Sequence, residues 1–130
     1  MNKLEYIRFL TGDMVYIHRS VRVVSSCDGY YATYYDEDEI LQEVSVNVVE
    51  GIPLTLKILE KNGWKKSKIN DCAYFYYKDG LFLTYTSKDG KFWFDDFDYS
   101  SGICVELPYV HSLQHLFFGM GIKNEMEVYV

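Results

Sequence analysis

Residues 64–107 leave few folding options, because short aromatic and β-branched runs are broken by Asn70-Asp71, Asp79-Gly80 and Asp89-Gly90 at hairpin spacing. Asp-Gly pairs reach the left-handed backbone that a tight β-turn needs, and large alternating side chains suit a pleated strand with one buried face. Trp64 to Ile69, Cys72 to Tyr77, Leu81 to Ser87, Lys91 to Phe97 and Ile103 to Leu107 are therefore expected as strands of an antiparallel meander. Eleven aromatic residues fall between Tyr74 and Tyr99. Because a strand sends alternate side chains to opposite faces, one set of rings can fill a core while the other face still carries rings.

The N-terminal residues also read as short strands. Met14 to Ile17 and Val21 to Val24 flank His18-Arg19-Ser20, Tyr30 to Tyr35 follows Asp28-Gly29, and in Glu43 to Val49 the valines 44, 46 and 48 alternate with Ser45 and Asn47. Asp36-Glu37-Asp38-Glu39 separates two of these strands as an exposed acidic turn. So many short strands in fifty residues predict a small SH3-like β-barrel unit or a strongly twisted sheet over residues 1–50. Gly51-Ile52-Pro53 marks the boundary to a second subdomain, residues 51–130. There Thr55 is placed to cap a short helix, Leu56 to Lys61, with Leu56 and Leu59 on one face and Asn62-Gly63 closing it. A second helix is expected from Pro108 or Tyr109 to about Phe118, with Val110, Leu113, Phe117 and Met120 as its apolar stripe and Gly119 and Gly121 at its end. Glu125 to Val130 is expected to add a last strand. The predicted fold class is strand-dominated α+β, a small SH3-like N-terminal β-barrel unit followed by an antiparallel sheet with two helices.

Charge narrows the partners. The chain of 130 residues carries a formal charge of −6, and residues 1–50 hold four Lys/Arg against nine Asp/Glu. An acidic first half argues against duplex DNA, where phosphate neutralisation supplies most non-specific affinity. No apolar run approaches the roughly 20 residues that span a bilayer, and the opening Met1-Asn2-Lys3-Leu4-Glu5 is not a signal peptide, so no membrane partner and a cytoplasmic location are expected. Cys27, Cys72 and Cys104 are too widely spaced for a CxxC pair and read as reduced thiols. His111 and His115 lie four apart on one helix face, but no third ligand is placed by the sequence, so a contact strip with Phe118 is expected rather than a metal site. Asp95 to Gly102 lacks the glycine and glutamate of a calcium loop and reads as an acidic turn. With no nucleophile elbow, P-loop or HExxH, no catalytic residue, metal or cofactor is assigned and no enzyme activity is expected.

Residues 52–64, Ile-Pro-Leu-Thr-Leu-Lys-Ile-Leu-Glu-Lys-Asn-Gly-Trp, lead into the Tyr-rich meander and then into Tyr109 to Leu116, with Gly121-Ile122 and Glu125 beyond. Together with Gly12-Asp13-Met14-Val15 before Val21-Arg22-Val23, these segments resemble a group of small uncharacterised proteins of gut Bacteroides-group bacteria and their phages or mobile elements. Members of that group often have proline where Leu56 stands and phenylalanine where Trp64 stands, changes that leave the expected fold intact. The group brings no catalytic or binding residues with it. The resemblance implies a context only, a small accessory gene of phage or mobile-element type.

Aromatic strands beside lysines point to binding. Trp93 and Tyr85 with Lys66 or Lys68 are the expected ligand-binding residues, because a ring can stack a base and a cation can hold a phosphate, each stacked base being worth about 1–3 kcal/mol. The expected function is a non-enzymatic binding protein acting in a bacterial host cell as an anti-defence sponge. Its ligand would be a nucleotide immune signal, a cyclic nucleotide or an ADP-ribose-type molecule. Self-association as a homodimer or higher oligomer is expected too, since a domain of this length cannot easily bury so many large rings. The alternative is an acidic protein-interaction module that inhibits a host factor.

Overall fold

The structure is a computed structural model that describes residues 9–95, 104–121 and 126–128. Of the acidic turn expected at Asp95 to Gly102, residues 96–102, with Phe97 and Tyr99, lie outside the described residues, as do residues 125, 129 and 130 of the last expected strand. In chain order the elements are β1 (Met14–Ile17), β2 (Ser20–Val23), β3 (Ser26–Cys27), β4 (Tyr31–Tyr35), β5 (Leu41–Ser45), a 3-10 turn (Val46–Val48) and β6 (Val49–Gly51). Then follow α1 (Leu56–Lys61), β7 (Lys65–Asn70), β8 (Ala73–Lys78), β9 (Leu81–Thr86), β10 (Lys91–Asp95), β11 (Cys104–Glu106) and α2 (Val110–Gly119). The architecture is strand-dominated α+β, and every strand pairing is antiparallel. No helix among the described residues is long and apolar enough to cross a membrane.

The chain divides into two compact units, one formed by Met1–Ile52 with Tyr109–Met126 and the other by Pro53–Pro108 with Glu127–Val130. The break after Ile52 falls at the proline that marks it in the sequence, whereas α2 belongs to the first unit and not to the meander.

In the first unit the strands form two sheets, in the orders β2-β1-β6 and β3-β4-β5. Neither closes into a barrel among the described residues, so the SH3-like barrel is not confirmed. Phe9, Val15, Ile17, Val24, Ala32, Tyr34 and Val49 make its core. The half-buried strand expected over Glu43 to Val49 is broken in the middle. The Ser45 side chain accepts the Asn47 N–H at 3.3 Å and starts the 3-10 turn, which shifts the alternation so that Val49 is buried and Val48 exposed. At the β4–β5 loop, Asp36 Oδ1 accepts the Asp38 and Ile40 N–H groups at 2.9 and 3.0 Å, and Oδ2 accepts the Gln42 amide at 2.9 Å. Arg22 reaches Glu37 at 2.6 Å with its guanidinium 5.3 Å from the Tyr34 ring centroid. Two of the four acidic residues in this turn thus hold the loop, while Asp38 and Glu39 project into solvent.

In the second unit β11-β10-β9-β8-β7 form one five-stranded meander, as the turn spacing requires. Thr55 Oγ1 caps α1 by accepting the Ile58 N–H at 3.2 Å, and Gly63 at φ +85° follows the Asn62 C-cap. The buried face of α1 carries Ile58 and Leu59, with Leu56 only half-buried, so the helix is turned from the Leu56–Leu59 face that spacing suggested. Asn62 then does more than end a helix. Its amide donates to the Glu127 carbonyl at 2.6 Å and its Oδ1 accepts the Glu127 N–H at 2.8 Å, which ties Glu127 to the end of α1, and residues 126–128 belong to no strand.

Candidate functional site

Cross-strand register sorts the meander side chains into two faces. Phe92 stands opposite Tyr85, Tyr85 opposite Tyr74, and Tyr74 opposite Lys68, while Phe94, Leu83, Tyr76 and Lys66 form the parallel row. This face holds the buried side chains Tyr76, Leu81, Leu83 and Phe92, so its interior end is core. Its other end is a half-buried ladder of rings. Tyr85 lies 4.8 Å from Phe92 and 6.4 Å from Tyr74 in a stacked pose, and the Lys66 ammonium sits 4.2 Å from the Tyr74 ring centroid.

The opposite face carries Trp93, Thr84, Phe75 and Ser67 in one row and Phe82 with Tyr77 in the next. Tyr77 and Phe82 are exposed with centroids 6.1 Å apart. Rings on both faces follow directly from the sequence. Of the four expected ligand-binding residues, Tyr85, Lys66 and Lys68 share one face. Trp93 lies on the other, beside Glu106 and Lys91, whose charged groups are 3.8 Å apart, and cannot join them. The ring beside Tyr85 and Lys66 on that face is Tyr74. Sequence reasoning missed it because choosing the ring nearest a lysine requires the strand register, although Tyr74 is in the aromatic run. Lys68 is already engaged with Asp71 at 2.9 Å in an exposed pair. All of β7 is exposed and lies at the sheet edge, where lysines also discourage another strand from pairing.

Below the ladder the Tyr76 ring is fully buried, and its hydroxyl has no hydrogen-bond partner among the described residues. Burial pushes this phenol above its ordinary value of 10.0, and the charge of Glu60 and the neighbouring Tyr85 and Tyr74 push the same way. Tyr76→Phe is expected to leave stability unchanged or raise it by about 1 kcal/mol at neutral pH, since only an unsatisfied hydroxyl is lost. A raised folded pKa means that the unfolded chain gives up the proton first. The native protein therefore loses stability as pH climbs past 10, and Tyr76→Phe removes that part of the loss. Urea unfolding at pH 7 and pH 10.5 checks both halves, and a Tyr76→Phe protein clearly weaker at pH 7 would reveal a hydroxyl partner.

The two helix histidines are spent inside the first unit. His115 Nε2 lies 2.7 Å from Oδ2 of the buried Asp13, and the same oxygen accepts the Leu10 N–H at 2.8 Å. Between them Gln114, also buried, accepts the Met14 N–H at 2.8 Å and donates to the Gly12 carbonyl at 3.0 Å. His111 is buried, stacked on Tyr109 with centroids 5.2 Å apart and 10° between planes, and its ring centroid is 5.0 Å from that of Phe9. The expected contact strip of His111, His115 and Phe118 is therefore corrected: only Phe118 is well exposed, because α2 turns its histidine edge toward β1 and the loop before it. A cleft of about 280 Å³ lined by Leu10, Thr11, Asp13, His115 and Phe118 opens beside the pair. Among the described residues no three side chains are grouped to hold a metal ion. No protein-family model matches the chain, and no curated protein or solved structure matches it either.

Proposed function

We propose that the chain is a non-enzymatic binding protein that sequesters a nucleotide-class ligand on the Tyr74–Tyr85 ladder, with Lys66 as the phosphate partner and Lys68 as a second cation. The observation that carries this reading is a lysine ammonium 4.2 Å from the centroid of a ring that is itself stacked with a second tyrosine. An exposed cation–π contact is worth only about 0.5–1 kcal/mol, so Lys66 can leave the ring for a phosphate at little cost and uncover a flat surface for a base. The resemblance to small phage and mobile-element proteins supplies the context of an anti-defence sponge, for which a cyclic dinucleotide or an ADP-ribose-type signal has the right chemistry. Homodimerisation, measured by light scattering, is part of the same proposal.

We propose further that the first unit is an opened SH3-like unit. In support, β2 and β3 are separated by only two residues across the two sheets, and a 3-10 turn leads into the last strand.

Calorimetric titration against a panel of cyclic dinucleotides and ADP-ribose derivatives tests the function. A member of the panel is expected to bind, with Tyr74→Ala or Tyr85→Ala losing about one to two decades of affinity. Lys66→Ala should lose less. Trp93→Ala, on the other face, should change nothing. No heat from any member with folded protein at high concentration would end the proposal.

A further inference from the structure

We propose that the open face of the β4–β5 pair, in the first unit, is a docking surface for an arginine-rich segment of a partner protein. Register places Tyr31, Thr33 and Tyr35 of β4 on one face with Ser45, Glu43 and Leu41 of β5, while Ala32 and Tyr34 point into the core. Tyr31, Tyr35 and Leu41 are 52%, 59% and 53% exposed, and Ile40, just before β5, is 56% exposed. Large apolar groups gathered in this way on one side of a small sheet mark an interaction surface rather than scattered exposure.

Charge selects the occupant. Residues 23–56 contain seven Asp/Glu and not one Lys or Arg, and Arg22, just before this stretch, pairs with Glu37 and leaves Glu43, Asp38 and Glu39 to give the face its charge. Glu43 stands opposite Thr33, diagonally between Tyr31 and Tyr35. A guanidinium laid flat on either ring therefore finds a carboxylate within reach of its N–H fork, and Asp38 and Glu39 lie on the turn beyond Tyr35. Arginine suits this arrangement better than lysine, because its plane stacks on a ring while its edge pairs with a carboxylate. Nucleic acid and anionic membranes are repelled by the same carboxylates. A second copy related by a twofold axis would set this acidic face against itself.

The test is fluorescence anisotropy with labelled nona-arginine and nona-lysine peptides at about 50 mM salt, where screening is weak. Nona-arginine is expected to bind at least about fivefold more tightly than nona-lysine, and Tyr35→Ala and Glu43→Gln should each weaken it by about fivefold to tenfold. Both substitutions sit on exposed positions, and an unchanged melting temperature verifies the fold. Lys66→Ala, on the meander, should leave peptide binding unchanged, so failure of the nucleotide reading and failure of this one are separable. Equal affinity for the two peptides, indifference to Tyr35→Ala, or no binding at millimolar peptide would each overturn the assignment. So would a self-associated protein in which Tyr35→Ala releases monomers, since the face would then belong to a second copy.

Discussion

Replacing Asp13 by alanine is expected to cost the protein about 2–3 kcal/mol of stability, although the sequence gives this residue no role. Its side chain is buried, and one oxygen serves both the Leu10 N–H and His115 Nε2. Alanine removes the partner of both nitrogens and leaves a small void. An unsatisfied buried donor costs about 1–3 kcal/mol, and the imidazole side is discounted because the His115 side chain is one-third exposed and can turn to water. Asp13→Asn keeps one acceptor oxygen and should lose about half as much. Urea unfolding of both variants provides the measurement. A loss under about 0.5 kcal/mol for Asp13→Ala would show that the turn and α2 hold together without this bond.

An alanine at Gly51 should be comparably damaging, about 2–3 kcal/mol, although added side chains in strands ordinarily help. A Cβ built on Gly51 would stand 2.7 and 2.8 Å from Tyr109 ring carbons and 2.9 Å from His111 Cε1. Those atoms cannot simply swing aside. Tyr109 and His111 are stacked on each other, and His111 is buried against Phe9, so the clash must be met by moving a packed pair or the β6 backbone. In a Tyr109→Ala background the closest contacts are gone, and the same glycine replacement should cost no more than half as much. Additive losses would mean that the ring does not fill the space over Gly51.

Local chemistry carried much of the second unit. Thr55 caps α1, Asn62-Gly63 ends it, and β8, β9 and β10 follow one another in sheet order because the Asp79-Gly80 and Asp89-Gly90 turns leave no length for any other connection. The presence of rings on both sheet faces was equally legible, being a consequence of consecutive aromatics on a period-2 element. What period alone could not supply was phase. Tyr85, Lys66 and Lys68 lie on one side and Trp93 on the other, and the difference depends on the register across three strand pairs. The valine alternation at 44–48 misled for a similar reason: Ser45 bonded its own neighbour and converted a strand into a 3-10 turn.

By itself, then, the sequence determined the strand-rich class, the two helices and the acidic character of residues 1–50, because each depends on propensity, turn chemistry or charge within a few neighbouring residues. Only the tertiary structure decided that α2 joins the N-terminal strands and that its histidines serve the fold. Asp13 and His115 are separated by 102 positions in the chain and by 2.7 Å in space. Gly51 owes its missing side chain to two rings near residue 110. Such pairings reflect close packing and buried hydrogen bonds between distant segments, whose free energy arises only once those segments meet and which no local pattern of residues encodes.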